Sequence, residues 1–294
     1  MSDDTTNESD ATDETATDAS WQARLRRLTF DAAVVLDHAR TVGTRRYFTL
    51  REKVVGPTPH PRNAPGPLPE FGSTIEVDGI TMRVDERMSE FNIRKLMGGW
   101  HTVHERSLVV GRLRDDDVVM ELGSGIGMVS TACATAIGSD RVHAYEANPE
   151  LESLIRDNYA LNGVSPTLNM VMLGEERGTR TFHLAERFSH SSAQLASDTT
   201  RPVQVPVEPA NEHLVETGAT VLIVDIQGGE VEFFAIADLS RVRLVLVELH
   251  PFIIGLSGVR SVRSKLRDLG FEVVDRAGTS FLLERSDGAT GSAD

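Results

Sequence analysis

Cysteine occurs once in the 294 residues, at Cys133, so neither an internal disulfide nor a cysteine cluster for a metal can form, and a reducing compartment fits that usage. Long apolar runs are missing too: nothing approaches the 18 uninterrupted residues of a membrane-spanning helix. The opening residues, MSDDTTNESDATDETATDAS, hold seven acids, no base and no apolar core of a signal peptide, so a cytoplasmic location is expected. Basic residues are the third scarcity. Lys and Arg total 30 against 44 Asp and Glu, and half of the formal net charge of −14 lies in residues 1–20. Nucleic-acid binding draws its affinity from Lys and Arg on phosphates. There is no basic run here, and Arg260, Arg263, Lys265 and Arg267 read as a solvated helix face. Neither nucleic acid nor membrane is an expected partner.

What is present is enough for a full core. With 40% apolar residues, the chain suits one large domain or one domain with an extension. Residues 1–20 carry too few apolar groups to offset the entropy of ordering and are expected to be a disordered acidic tail. A helix is expected over about 21–40. Residues 56–69 then hold six of the twelve prolines and read as a linker, closing an N-terminal segment of 21–70. The main domain is expected over 71–287, with a short disordered tail at 288–294. Its first signal is STIEVDGITMRVD, which alternates about Asp78-Gly79 as a β-hairpin does.

From residue 117 the pattern alternates strand and helix. VVMEL (118–122) leads to a helix with Val129, Cys133, Ala136 and Ile137 on its apolar face, and RVHAYE (141–146) completes a βαβ unit. Asn148 can cap the next helix, with Pro149 in its first turn, an apolar face of Leu151, Leu154, Ile155 and Tyr159, and a stop at Asn162-Gly163. LNMVML (168–173) reads as a third strand. TVLIVD (220–225) and RLVLVE (243–248) are apolar runs ending in an acid, as expected of parallel strands covered on both faces. Val259, Val262, Leu266 and Leu269 line a late helix closed by Gly270. FEVVD and FLLE then flank RAGTS (276–280), too short for a parallel crossover, so the last strand must run antiparallel.

The bend ELGSGIG (121–127) ends the first strand of this sheet. Glycines there let backbone approach a ligand in the crevice outside the strand ends. The spacing is G-x-G-x-G, and Met128 stands where the dinucleotide fingerprint wants a third glycine or alanine, which disfavours NAD. Glu146 lies 21 residues after Gly125 at the end of the second strand, placed to accept both ribose hydroxyls of a nucleoside.

ELGSGIG, YEANP at 145–149, VDIQGGEVEFF at 224–234 and VELHP at 247–251 resemble, in order, motifs of the FkbM family of class I S-adenosylmethionine-dependent methyltransferases. The resemblance spans about 75–285. It implies a Rossmann-like α/β fold, a mostly parallel seven-stranded sheet with an antiparallel terminal hairpin strand and helices on both faces. It also implies S-adenosylmethionine as cofactor, held by Glu121, Gly123, Ser124, Gly125, Gly127, Glu146 and Asn148, with Glu175 near adenine. The reaction implied is O-methylation of a small-molecule, sugar or glycan hydroxyl.

Methyl transfer from a sulfonium is largely a matter of alignment, and a hydroxyl nucleophile also needs a base. Asp225, Glu230, Glu248 and His250 qualify by lying over the strand ends. Each also has a plainer reading: Glu230 as a complement to a helix N-terminus, Asp225 as a loop support, Glu248 as a buried strand-end acid and His250 as a loop residue. HTVHE at 101–105 matches no metal motif and reads as a helix face, so no metal is expected. Cys133 reads as core, and FSHSSAQL (188–195) as a loop that could shape an acceptor pocket. Two other functions stay open: a nicotinamide-dependent oxidoreductase, and a noncatalytic S-adenosylmethionine-binding module.

Overall fold

The computed structural model describes residues 66–98, 103–185 and 200–286. The expected acidic tail, N-terminal helix, most of the proline-rich stretch, FSHSSAQL, the 288–294 tail and the first residues of HTVHE lie outside the described residues.

The Asp78-Gly79 pair makes its hairpin. Strands β1 (Thr74–Val77) and β2 (Ile80–Arg83) pair antiparallel with Val77 opposite Ile80. The turn residues take φ of 49° and 78°, the left-handed pair that a two-residue turn between right-twisted strands requires. Helices α1 (Glu90–Met97), capped by the Ser89 side chain, and α2 (Val103–Val110) follow.

Seven strands form the central sheet: β3 (Val119–Leu122), β4 (Val142–Tyr145), β5 (Thr167–Asn169), β9 (Val221–Val224), β10 (Leu244–Glu248), β11 (Phe271–Ala277) and β12 (Ser280–Arg285). Their order is β11-β12-β10-β9-β3-β4-β5, parallel except for β12, which runs antiparallel to both neighbours. Val119, Val221 and Leu244 are wholly buried, as near-continuous apolar strands covered on both faces must be. Burying each such side chain contributes roughly 1.5–3 kcal/mol. Register sets up the site: Leu122 lies opposite Val224, and Val224 opposite Val247. Gly123, Asp225 and Glu248 therefore emerge at one edge of the sheet.

The covering helices are α3 (Met128–Ile137), α4 (Glu152–Leu161), α5 (Ala210–Thr217), α6 (Glu230–Ile236) and α7 (Pro251–Asp268). Asn158 of α4 and Asn162 just past its end accept from the backbone N–H groups of Arg83 and Thr81, both at 2.8 Å, which ties the hairpin to the main layer. Leu151, Leu154, Ile155 and Tyr159 are buried as their spacing requires.

Three expectations need correction. LNMVML is not one strand: β5 ends at Asn169 because its partner β4 ends at Tyr145, and Met172–Gly174 forms β6 in a second sheet. That sheet, of order β6-β8-β7, contains β7 (Gly178–Ala185) and β8 (Thr200–Pro209), an antiparallel ribbon in a region to which no strand was assigned from the sequence. Ala136 is exposed; α3 is buried all round over its first two turns, polar Ser130 and Thr131 included. The last hairpin is also tighter than RAGTS suggests, with β11 running to Ala277 and β12 starting at Ser280.

Candidate active site

The three glycines of the loop between β3 and α3 have different surroundings. Gly123 has φ 81°, and a Cβ there would lie 1.8 Å from the Asp225 carbonyl oxygen, so this glycine lets the ends of β3 and β9 close on each other. A Cβ at Gly127 would press on Tyr159 and Ile155, making this glycine the packing point of α3 on α4. Only Gly125, at φ 57°, faces open space.

Glu146 holds that loop in place. One carboxylate oxygen accepts from Gly125 N at 2.8 Å and the other from Asn148 N at 2.8 Å, leaving further lone pairs for a ligand. Burial pushes its carboxyl above the usual range. Asn148 is buried and accepts from Glu150 N at 3.0 Å, so it does cap the turn. Glu121 sits inside β3, is buried, and is pushed up to about 7 by desolvation, with Glu146 and Asp225 adding like charge. Two buried atoms on this side lack a protein partner, Glu121 Oε2 and Ser124 Oγ. Orphaned polar atoms beside an open glycine fit a polar ligand laid along the loop. Glu175 is exposed in the turn between β6 and β7, not at the end of the third central strand. It is displaced by the same break that ends β5 at Asn169.

The second half of the cleft gathers the four expected acid–base residues. Glu230, the first residue of α6, is fully buried and accepts from Gly228 N at 3.0 Å. The same oxygen is 2.7 Å from His250 Nδ1, while Glu230 Oε2 has no partner. His250 precedes α7 with its side chain 5% exposed, and its Nε2 lies 3.6 Å from Asp225 Oδ1. Burial opposes charge on the imidazole, but the Glu230 hydrogen bond and the carboxylates of Glu248 and Asp225 outweigh it and push His250 up to about 9. Asp225 keeps 35% of its side chain exposed, and desolvation raises its carboxyl despite the His250 charge. Gln227 donates to Asp225 Oδ1 at 3.1 Å from a backbone with φ 48°. Glu248 accepts from Thr279 Oγ1 at 3.1 Å and is pushed up to about 7 by desolvation and then by Asp225.

Sequence reasoning missed Glu105 and Thr279. Glu105 of α2 accepts from Ser280 Oγ at 2.7 Å, and its carboxyl is raised by burial and by Glu248. It stands in no motif, and only the packing of α2 on the sheet brings it to the cluster. Asp225, Glu248 and His250 each offer a ligand atom within 4.8 Å of the others, so a metal could be held here.

Residues 117–273 match the family described as the Methyltransferase FkbM domain. Among solved structures, the chain is similar to a ribosomal protein L11 methylase from Lactobacillus delbrueckii subsp. bulgaricus, at 15% identity and TM-score 0.38 over 64% of this chain and 81% of that one. It is similar to a precorrin-6y C5,15-methyltransferase from Geobacter metallireducens, at 17% identity and TM-score 0.37 over 63% and 88%. A tRNA (uracil-54, C5)-methyltransferase of Pyrococcus abyssi, in complex with S-adenosyl-L-homocysteine, gives 11% identity and TM-score 0.40 over 73% of this chain and 44% of that one. A comparison with curated protein sequences gives no match.

Proposed function

Because the chain belongs to the FkbM methyltransferase domain family and is an S-adenosylmethionine-dependent methyltransferase, we propose that it methylates a hydroxyl oxygen of a small molecule, sugar or glycan. The observation that carries this reading is the gathering of carboxylates around one imidazole at the ends of β9 and β10, beside the glycine loop. A hydroxyl must lose a proton as it attacks, and such a cluster can take it.

The cofactor supplies an activated sulfonium methyl group. Toward it, Glu146 would accept from the ribose hydroxyls while keeping Gly125 in place, and the free atoms of Ser124 and Glu121 would meet its polar groups. Gly123 and Gly127 act by letting β9 and α4 come close, and Asn148 by donating its N–H to Glu146. Glu175 retains only a peripheral part in this reading. On the acceptor side, Asp225 is the proton acceptor, since 35% of its side chain is exposed and its Oδ1 lies beside His250. His250, charged and anchored on Glu230, stabilises the ionised form of Asp225, and Glu248 shares the proton inventory of the cluster. No helix among the described residues is long and apolar enough to cross a membrane, and the acidic balance of the chain argues against a nucleic-acid acceptor.

The test is transfer of labelled methyl from S-adenosylmethionine to hydroxyl-bearing sugars and aglycones, with amines and tRNA as competing acceptors. Asp225→Asn is expected to lower kcat about 10²- to 10⁴-fold, the usual worth of a positioned base, with unchanged affinity for S-adenosylhomocysteine. Labelling of amines or tRNA alone would replace this reading.

A further inference from the structure

His250 carries information that a simple proton acceptor would not need. A fully buried carboxylate, Glu230, engages its Nδ1 at 2.7 Å, and that fixes the ring with Nε2 turned toward Asp225. Nε2 and Asp225 Oδ1 stand 3.6 Å apart, too far to share a hydrogen bond, although the imidazole is 5% exposed. Glu248 completes the set, with one atom from each residue inside 4.8 Å. Adjacent ligands of an ion bound at roughly 2.0–2.2 Å lie about 3–3.6 Å apart, so the gap is the one a cation fills. A carboxylate on the far nitrogen is also how a metal-ligating imidazole is held in tautomer and orientation.

Charge points the same way. Asp225, Glu230 and Glu248, with Glu105 from α2, surround a single imidazole, and Lys95 of α1 is the further cation acting on Glu105 and Glu248. Carboxylates in excess over their partners in a buried place are costly, and a divalent ion offsets that cost.

We propose that Asp225, Glu248 and Nε2 of His250 bind one divalent first-row cation, with Glu230 as the positioning residue of His250. One imidazole nitrogen among oxygens selects Mn²⁺ over Mg²⁺, which favours oxygen ligands alone. Entry of the ion displaces the Nε2 proton to solvent. Each residue gives one ligand atom, so the second carboxylate oxygen of Asp225 remains the proton acceptor, and acceptor oxygens would occupy the open coordination positions; this last part rests on the hydroxyl reading above.

The experiment is a Mn²⁺ titration of the EDTA-treated full chain followed by electron paramagnetic resonance, with no acceptor present. One bound ion per chain is expected, with nitrogen coupling from one imidazole in the pulsed spectrum. Glu248→Gln and His250→Ala should abolish saturable binding while S-adenosylhomocysteine still binds, and Glu230→Gln should weaken it about 10- to 100-fold with the nitrogen coupling retained. No bound ion at millimolar Mn²⁺, an ion without nitrogen coupling, or undiminished binding in Glu248→Gln would overturn the site. The wild-type spectrum decides even if a variant fails to fold. Failure of the hydroxyl reading would leave the titration standing, and hydroxyl methylation by a metal-free chain would remove the role given to the ion while leaving that reading intact.

Discussion

The two halves of the cleft are made of different material. Around the glycine loop, backbone makes the surface: Gly123 closes on the Asp225 carbonyl, Gly125 lies open, and Glu146 spends both oxygens on backbone N–H groups. Across the cleft, side chains from α2, β10 and the segments after β9 and β10 bring titratable groups together, and the backbone is only their support. A ligand shared by a whole family can be held by main-chain shape, whereas an acceptor needs groups that exchange protons. The first half should therefore fail through geometry and the second through charge.

The sharpest break is Gly123→Ala. A methyl group there would stand 1.8 Å from a carbonyl oxygen and force a left-handed φ of 81° on a residue with a Cβ. Because neither strand end can retreat without parting the central sheet, a loss of about 4 kcal/mol or more is expected, enough to prevent folding in a marginally stable domain. Gly125→Ala, built into open space, should cost about 1–2 kcal/mol for its φ alone. Urea denaturation of the two variants tests the contrast, and equal losses would refute the assignment of separate roles.

The acceptor half should show itself through pH. With EDTA present to keep the cation site empty, His250 keeps its proton to about 9 in the fold but gives it up near 6.5 when unfolded. Its contribution is thus complete below 6.5 and disappears as pH rises through 9, an effect of about 3 kcal/mol. Glu121 and Glu248, both raised from 4.5 to about 7, act earlier in the same direction, losing their contribution between those values. Stability of the wild type should therefore fall from pH 7.5 to 9, and His250→Gln should flatten that part of the curve. A wild-type curve that is level or rising across this window would dismiss the charged imidazole.

The same division decides what could be read from the sequence. Strand ends, the Asp78-Gly79 turn and the antiparallel last strand were legible because apolar runs, turn residues and short connections are local. The bend at the glycine loop and the place of Glu146 at the end of β4 were legible because tight backbone turns need particular residues at particular spacings. Glu105 and Thr279 were not, since they reach Glu248 through the packing of α2 and the pairing of β12 against β10. The split of LNMVML at Asn169 was hidden because an apolar run does not say which sheet its second half joins, and β6 is claimed by β8.

The smallest effect tests the boundary between the halves. Glu146→Ala removes an acceptor shared by the protein and, on the reading above, by the ribose. It should weaken S-adenosylhomocysteine binding by on the order of 1.5–3 kcal/mol, the range for hydrogen bonds to a charged group. The N–H groups of Gly125 and Asn148 would lose their partner as well, so part of the loss would come from a loosened loop. Glu146→Gln separates the two contributions, because an amide oxygen still accepts from one N–H while its NH₂ cannot accept from a ribose hydroxyl. If calorimetry finds the glutamine variant as weak as the alanine one, the carboxylate acts on the ligand directly; if glutamine restores binding, Glu146 belongs to the backbone-shaping machinery alone.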